Sequence, residues 1–440
     1  MRPWKKLTER LPLLMFLGSS GGALFVWGVA AGRYEVFPFG MMQDLVDPAV
    51  YVARDIGGES WFFRENPHPS LGSVYDAGRA SPGLDMVVRV GRREKSWVEV
   101  VDLEGTVLHA WETDWHGLWP NAEHVPAGLR PKAGATWYAH GAVILEGGDV
   151  VFNFEHLGMI RLSRDGEVVW RLPYRTHHSL ELGPDGNLWA CGQRRVEEAD
   201  GRYPDRVPPY DEFTLLQVSP DGEILRELSV PDILYQNGYA ALIHSARFLQ
   251  RNHATIKDDR LHLNDVEPFP RDLTPGFFGP GDVAVSLRNV GVVFVMELAS
   301  GRIKFFSSGR FSRQHDPDFI SGDALSIFDN ESGGGGNSRI VVLRAPSGDA
   351  EVVYAGEDGA FFTDIMGKHQ WLPNGDLLIT ESRAGRAFEV TPEGEIVWQY
   401  VNEIEPGVVG LVTEVTRLSP EAAANFLDDV PAGAEARARR

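Results

Sequence analysis

The residues HGAVILEGGDVV (140–151), followed by DGEVVW (165–170), decide the fold, because a second passage repeats their pattern. The second passage reads HQWLPNGDLL (369–378) and then EGEIVW (393–398). Each contains about four short apolar strands separated by Gly-Asp, Asn-Gly or Asp-Gly pairs, which are strong turn signals. Self-similarity of this kind predicts an array of four-stranded units, as in the blades of a β-propeller.

A histidine begins five such units: His140, His178, His262, His315 and His369. Residues 84–111 supply strands of a sixth unit, and residues 410–418 could supply its missing inner strand. Closing a ring with strands from both ends removes open sheet edges. We therefore predict an all-β, six-bladed propeller at residues 83–420, with seven blades as the alternative. The first strand of each blade lines the central channel of a propeller, so the five histidines are predicted to face one pocket.

The composition limits the class of protein. The 48 glycines and 28 prolines among 440 residues fit short strands joined by tight turns. A formal net charge of −20 leaves no basic surface for phosphate groups, so we exclude a nucleic-acid partner. Cys191 is the single cysteine, which excludes an internal disulfide and a multi-cysteine metal site.

The N-terminal residues predict the compartment. Residues 11–32 contain no charged side chain and are long enough for a transmembrane helix, which needs about 20 residues. Four cationic side chains precede this stretch: Arg2, Lys5, Lys6 and Arg10. By the positive-inside rule, residues 1–10 form a cytoplasmic tail, and the membrane-anchored propeller lies on the periplasmic or extracellular side. A cleaved signal peptide is the alternative, and it gives the domain the same location.

Three further segments fall outside the repeat. Residues 33–82 are irregular and rich in proline, glycine and aromatic side chains, so we predict a tether and a cap. Residues 231–258 have partly helical spacing and predict an insertion over one face. Residues 421–440 predict a disordered tail.

Side chains near the histidines could take part in chemistry. Asn264 stands two residues after His262 and would share its face of a strand. Arg288 ends the next predicted strand. Asp316 follows His315, and its carboxylate could fix the tautomer of that imidazole. Any one of these residues is more often structural, but several histidines on one axis have no obvious packing role.

The order and spacing of several short stretches resemble the bacterial arylsulfotransferase family. The stretches are HSL (178–180), HLNDV (262–266), VSLRN (285–289), FSRQHD (311–316), LSIFDN (325–330), and FEVT (388–391) with GEIVW (394–398). The resemblance implies a six-bladed propeller that transfers a sulfuryl group between phenols without a nucleotide sulfate donor. The best-known members carry an extra N-terminal β-domain and cysteines able to pair. Residues 33–82 are too short and irregular for such a domain, and a single cysteine cannot pair within the chain. The sequence therefore resembles the shorter branch of the family.

The resemblance also implies residue roles. His315 would be the nucleophile that becomes a sulfohistidine, supported by His178, His262 and Arg288. An imidazole can attack sulfur, a cation can stabilise the charge on the sulfuryl oxygens, and a second imidazole can carry the proton. We assign substrate binding to the remaining candidates: His140, His369 and Asn264. The implied partners are a small aryl sulfate and a phenol, with no cofactor and no metal ion.

Two other functions stay open at this point. A non-catalytic exported propeller could bind a ligand or a protein partner, because one fold hosts many functions. Several histidines with Asp316 could instead bind a divalent cation or a quinone. We rank the metal site low, because no two histidines have the two- or four-residue spacing of a dedicated ligand motif.

Overall fold

The computed structural model describes residues 19–28, 60–69, 74–131, 137–246, 259–331, 336–356 and 361–428. The chain divides into two units, Met1–Ser60 and Trp61–Arg440. In the first unit residues 19–28 are helical, and the rest of the predicted anchor, residues 11–18 and 29–32, lies outside the described residues. Within the described ranges no helix has the length and apolar character needed to cross a membrane.

The second unit consists mostly of strands. In chain order the strands are β1 (Phe63–Glu65), β2 (Val74–Tyr75), β3 (Asp85–Val90), β4 (Ser96–Val101), β5 (Val107–Glu112), β6 (Ala139–Ile144), β7 (Val150–Phe154), β8 (Gly158–Leu162), β9 (Val168–Leu172), β10 (Arg175–Leu182), β11 (Leu188–Val196), β12 (Tyr210–Val218), β13 (Ile224–Ser229), β14 (Leu263–Pro268), β15 (Asp282–Leu287), β16 (Val292–Glu297), β17 (Arg302–Ser308), β18 (His315–Ser321), β19 (Ala324–Asp329), β20 (Arg339–Arg344), β21 (Ala350–Ala355), β22 (Lys368–Trp371), β23 (Leu377–Glu381), β24 (Arg386–Val390), β25 (Ile396–Val401), β26 (Glu403–Glu405), β27 (Val408–Gly410) and β28 (Val412–Arg417). The α-helices are Trp115–Leu118, Val230–Gln236, Ala240–Ser245 and Pro420–Asp428, and the 3-10 helices are Arg92–Glu94, Arg288–Val290 and Ser382–Ala384. The predicted all-β class is confirmed.

These strands form six antiparallel sheets of four or five strands and one smaller sheet. In spatial order, sheet 1 is β28-β3-β4-β5, sheet 2 is β6-β7-β8-β9, sheet 3 is β10-β11-β12-β13, sheet 4 is β14-β15-β16-β17, sheet 5 is β18-β19-β20-β21, and sheet 6 is β22-β23-β24-β25-β2. The smaller sheet is β1-β27-β26. The strand predicted at residues 410–418 is β28, which pairs with β3 as Arg417 opposite Asp85 and Val415 opposite Val87. Sheet 1 therefore joins the two ends of the unit.

The first strand of each sheet contacts the first strands of two other sheets. The contacting pairs are β6 with β10, β10 with β14, β14 with β18, β18 with β22, β22 with β28, and β28 with β6. Apolar side chains fill the space between sheets, for example Val151, Leu180 and Leu216 between sheets 2 and 3. The six inner strands thus lie side by side in cyclic order.

The tryptophans of the repeat connect neighbouring sheets at their outer edges. Trp111 donates its indole hydrogen to the Ser163 carbonyl oxygen in the next sheet at 2.9 Å. Trp170 donates to the Pro220 carbonyl oxygen, also at 2.9 Å. Trp398 reaches Leu103 in sheet 1 at the same distance. A buried indole needs an acceptor for its single donor, and the turn of the adjacent sheet supplies it.

Two predicted segments are more ordered than expected, and a third contains helices as its spacing predicted. Within the predicted tether and cap, residues 63–65 and 74–75 form strands that join the smaller sheet and sheet 6. The prediction of disorder was wrong for residues 421–428, which belong to the helix Pro420–Asp428. That helix begins with proline and contains three alanines, a good helix-forming sequence, and its Phe426 is buried against His109 and Trp111. The predicted insertion contains two helices up to Ser245, and its residues 247–258 lie outside the described ranges.

Candidate active site

The candidate side chains lie at one end of their sheets. His140 and His178 are near the start of β6 and β10, His315 is the first residue of β18, and His262 directly precedes β14. In an antiparallel pair, the start of the first strand lies beside the end of the second. The residues directly after the second strands therefore face the histidines: Glu155 after β7, Arg288 after β15 and Asn330 after β19.

A β-bulge turns most of these histidines toward one another. The pairing register shifts beside the histidines of β6, β10, β14 and β18. At or directly beside the shifts, His178, His262 and Asp316 each have a φ of 54°, and Gly141 has a φ of 77°. A left-handed residue in a bulge bends the strand and changes the direction of its side chains, and it costs on the order of 1 kcal/mol for a residue other than glycine. These four positive φ values lie at or next to His140, His178, His262 and His315.

His315 is held in one tautomer by Asn330. The Asn330 amide nitrogen donates to the carbonyl oxygens of Thr363 at 2.9 Å and Met366 at 2.7 Å, which fixes the orientation of the amide. Its Oδ1 then faces His315 Nδ1 at 2.8 Å and can only accept. Nδ1 must therefore carry the hydrogen, and Nε2 of a neutral His315 has its lone pair available.

His178 and His262 meet beside His315. Their Nε2 atoms are 3.3 Å apart, and the rings of His178 and His315 are stacked with centroids 6.4 Å apart. His262 Nδ1 lies 2.7 Å from Asp259 Oδ2. His178 Nδ1 lies 3.2 Å from Glu155 Oε1 and 2.9 Å from His177 Nδ1. Two imidazoles with a carboxylate behind each thus contact each other, and the ring of one of them stacks on the ring of His315.

His140 belongs to the same cluster through Glu155. Its Nδ1 lies 2.9 Å from Glu155 Oε2, and its ring is 4.8 Å from the ring of His178. The same carboxylate lies 3.1 Å from His156 Nε2 and accepts the backbone hydrogen of His178 at 3.0 Å. Glu155 therefore contacts three imidazoles.

Arg288 is positioned beside two of the histidines by backbone pairing. Its amide donates to the His262 carbonyl oxygen at 2.9 Å. Its guanidinium charge lowers the pKa of both His262 and His315. A cation in this place can stabilise the negative charge of a group bound between the two rings.

Burial lowers the pKa of the central imidazoles, and the histidines around Glu155 lower the pKa of its carboxyl. Burial lowers the pKa of His315 well below its ordinary value, and Arg288 lowers it further. Burial also lowers the pKa of His262, and it lowers that of His178 well below the ordinary value. Burial alone would raise the pKa of Glu155, but the adjoining histidines hold it well below its usual range. His315 is therefore neutral near pH 7, and the lone pair of its Nε2 is available.

Asn264 contacts the backbone beside His315. Its Nδ2 donates to the Gln314 carbonyl oxygen at 2.7 Å, and the residue is buried. Gln314 in turn donates to Ser286 Oγ and to the Val292 carbonyl oxygen. Asn264 therefore positions the start of β18. Its buried Oδ1 accepts no hydrogen bond from the described residues.

His369 does not join the other four histidines. Its Nδ1 lies 2.9 Å from Asp316 Oδ2, its Nε2 lies 2.7 Å from Ser326 Oγ, and its side chain has no exposed surface. The reason is that β22 keeps a regular register with β23, so no bulge turns His369 toward the cluster. The three groups have the connectivity of a Ser-His-Asp triad, but Ser326 is fully buried and its hydroxyl cannot meet a substrate.

The predicted role of Asp316 was wrong. Its carboxylate contacts His369 and Lys368 instead of fixing the tautomer of His315. The positive φ of Asp316 turns its side chain toward the next inner strand. Asn330, from the second strand of the same sheet, takes the place that the sequence suggested for Asp316.

A layer of carboxylates lies farther along the inner strands, with Lys368 among them. Its members are Glu181, Asp265, Glu267, Asp316, Asp318 and Glu414. Lys368 Nζ lies 2.6 Å from Glu181 Oε1 and 2.9 Å from Asp316 Oδ1. Burial opposes the charge of Asp316, but Lys368 and His369 lower its pKa to about 2. Burial raises the pKa of Glu414 to about 7.

Among the residues that the structure describes, three groups of side chains could hold a divalent cation by the distances between their ligand atoms. They are His140, Glu155 and His178; Asp316, Asp318 and His369; and Glu181, Asp265 and Asp316, each with ligand atoms within 4.8 Å of one another. Imidazole and carboxylate ligands suit first-row metal ions. In the third group, the Lys368 ammonium already supplies a positive charge.

Sequence reasoning missed Glu155, Asn330 and Asp259. The first two share a signal: each is the first residue after the apolar second strand of its sheet, as Arg288 is in sheet 4. Asp259 stands three residues before His262 in an irregular segment, and we find no pattern that marks it.

Comparisons with known proteins agree with the resemblance seen in the sequence motifs. A family model described as arylsulfotransferase (ASST) matches residues 141–403, more than half of the chain. None of the curated proteins matches the sequence of this chain. Among solved structures, a protein of unknown function from Bacteroides caccae is 13% identical with a TM-score of 0.47, and 76% of this chain and 98% of that chain are covered. A catalytically inactive virginiamycin B lyase from Staphylococcus aureus with quinupristin is 14% identical, covers 78% and 90%, and has a TM-score of 0.40. The WD40 β-propeller domain of Doa1 is 11% identical, covers 75% and 86%, and has a TM-score of 0.39. On the family match, the chain belongs to the arylsulfotransferase family.

Proposed function

We propose that the protein transfers a sulfuryl group from an aryl sulfate ester to a phenol through a sulfohistidine at His315, without a nucleotide sulfate donor. The family match supports sulfotransferase chemistry in general. The observation that carries the specific mechanism is the hydrogen bond from His315 Nδ1 to Asn330 Oδ1, because it leaves Nε2 as the nucleophilic nitrogen.

The reaction has two balanced steps. His315 Nε2 forms a bond to sulfur while the bond from sulfur to the aryl oxygen breaks, and the released phenoxide takes a proton. A second phenol then gives up its proton, its oxygen attacks sulfur, and the bond from sulfur to Nε2 breaks. Arg288 would stabilise the sulfuryl oxygens in both steps, and His178 and His262 would exchange the proton.

Mass spectrometry of the intact protein tests the proposal. The full chain is exposed to 4-nitrophenyl sulfate without an acceptor, and we expect one added sulfuryl group. His315→Asn should give no adduct, whereas His116→Gln, an exposed histidine on the helix Trp115–Leu118, should react like the parent. An adduct on His315→Asn, or release of 4-nitrophenol without any adduct on the parent, contradicts the mechanism.

We also propose that the six sheets are the blades of one closed six-bladed propeller. The cyclic contacts of the six inner strands and the pairing of β28 with β3 support this. The uncharged stretch 11–32 and the cationic residues before it support a membrane-anchored domain on the periplasmic or extracellular side. Fractionation of cells that express the full chain, with protease added to intact spheroplasts, tests this location.

A further inference from the structure

In the histidine pair His178 and His262, one nitrogen of each ring faces a carboxylate, and the other two nitrogens face each other. His178 Nδ1 lies 3.2 Å from Glu155 Oε1 and 2.9 Å from His177 Nδ1, and a hydrogen on His178 Nδ1 satisfies both contacts, because the carboxylate and the unprotonated His177 Nδ1 can accept. Asp259 Oδ2 lies 2.7 Å from His262 Nδ1, which must likewise carry a hydrogen. Both Nε2 atoms would then have lone pairs that face each other at 3.3 Å. Such a contact is stable only with a proton between the two nitrogens.

We propose that His178 and His262 share one proton between their Nε2 atoms, and that Glu155 and Asp259 are the positioning carboxylates that make this pair the acid and base of the reaction. The inference rests on the proposed sulfuryl transfer and deepens it. The pair replaces a single general acid, and each of its carboxylates contributes without touching substrate.

The proton balance follows from the arrangement. When the bond from sulfur to the aryl oxygen breaks, the phenoxide takes the shared proton and leaves as a phenol. The two imidazoles are then neutral, each with its Nδ1 hydrogen directed at its carboxylate. The acceptor phenol returns a proton to the pair as its oxygen attacks the sulfohistidine. No other co-reactant is needed.

The surroundings favour easy release of this proton. Burial lowers the pKa of both imidazoles, and Arg288 lowers that of His262 further. His140 and His177 adjoin His178 and act in the same direction. A bound sulfate ester adds negative charge next to the pair and favours uptake of the proton. Rate acceleration by a general acid is largest when its proton is held neither too tightly nor too weakly.

Dependence on the leaving group separates this role from a structural one. Phenoxide needs a proton to leave, whereas 4-nitrophenoxide is stabilised by its nitro group. For the full chain carrying Asp259→Asn, we expect kcat/KM with phenyl sulfate to fall by about 100-fold and with 4-nitrophenyl sulfate by less than about 10-fold. Asp259→Glu keeps a carboxylate and should recover most of the loss. Glu212→Gln, which removes a buried carboxylate paired with Arg194 on sheet 3, should leave both values unchanged.

Equal losses with the two esters in Asp259→Asn, without recovery in Asp259→Glu, would overturn the shared-proton pair while transfer by the parent stands. If the parent transfers from neither ester and forms no adduct, the proposed function fails, and the catalytic role of the pair fails with it. NMR of protein labelled with ¹⁵N-histidine tests the shared proton without turnover. We expect a strongly deshielded proton coupled to His178 and His262 that disappears in Asp259→Asn, and its absence in the parent refutes the pair.

Discussion

Replacing Asn330 by leucine tests whether the tautomer of His315 controls sulfuryl uptake. Leucine keeps a similar volume but removes the acceptor for His315 Nδ1 and both donors to Thr363 and Met366. The lost hydrogen bond is worth about 0.5–1.5 kcal/mol, which lowers the fraction of the reactive tautomer by about two- to tenfold. The imidazole also loses its fixed direction, and a misplacement of about 1 Å can cost about 100-fold. We therefore expect uptake to slow by about 10- to 100-fold.

The assay is a single-turnover release of 4-nitrophenol from 4-nitrophenyl sulfate, combined with ¹⁵N shifts of the His315 ring. Ser338→Ala is the matched control, because Ser338 bonds to the carbonyl oxygens of Asn330 and Thr363 but not to the Asn330 amide. Both variants should lose about 1–3 kcal/mol of unfolding free energy from buried groups without partners. Uptake by a folded Asn330→Leu at the parent rate, or an equal slowing in Ser338→Ala, would refute the reasoning.

Three further outcomes are expected. Arg288→Gln should lower kcat/KM for 4-nitrophenyl sulfate by about 100-fold and Arg288→Lys by less, because a cation stabilises the sulfuryl oxygens; equal values for the two variants speak against a charge effect. His369→Gln should lose about 1–3 kcal/mol in urea unfolding but still form the adduct in intact-mass spectra, since His369 bonds only to buried groups; a missing adduct in the folded variant would place it in the site. Burial raises the pKa of Glu414 to about 7, so the folded protein binds a proton that the unfolded chain releases near its ordinary value of 4.5. As the pH rises from about 4.5 to 7, the parent should lose up to about 3 kcal/mol relative to Glu414→Gln and then level off; a constant difference in urea unfolding contradicts this.

The repeat was enough to predict the sheets. It predicted the contacts between side chains in the site only in part. Alternating apolar residues and Gly-containing turns depend on local backbone preferences, so the passages at 140–170 and 369–398 could be assigned to strands directly. The directions of side chains at a bulge depend on pairing with another strand. In a regular strand, Asp316 and His315 would face opposite sides, and nothing local shows that a φ of 54° redirects Asp316 to His369.

The partners of the histidines were hidden for the same reason. Asn330 stands 15 residues from His315 and Glu155 lies 23 residues from His178, so their contacts exist only after the sheets have formed. His369 matched the repeat as well as the other four, yet the missing bulge in β22 separates it from them. Position in the repeat identified the end of the sheets at which chemistry is expected. It did not identify the residues that fix the tautomers.

Sheet 1 is completed by a strand from the end of the chain, and this determines when the site can form during synthesis. Glu414 on β28 accepts the backbone hydrogen of Ala142 at 3.1 Å, and Thr413 donates to the carbonyl oxygen of Ala139, on either side of His140. Until residues 412–417 have emerged from the ribosome, β3 has an unpaired edge and the strand of His140 lacks these two contacts. A nascent chain therefore contains the histidines of the cluster before the strand of His140 has all its contacts. If the domain is exported as an unfolded chain, as the proposed location implies, the site would form only after translocation, and the proposed sulfation of phenols would be confined to that side of the membrane.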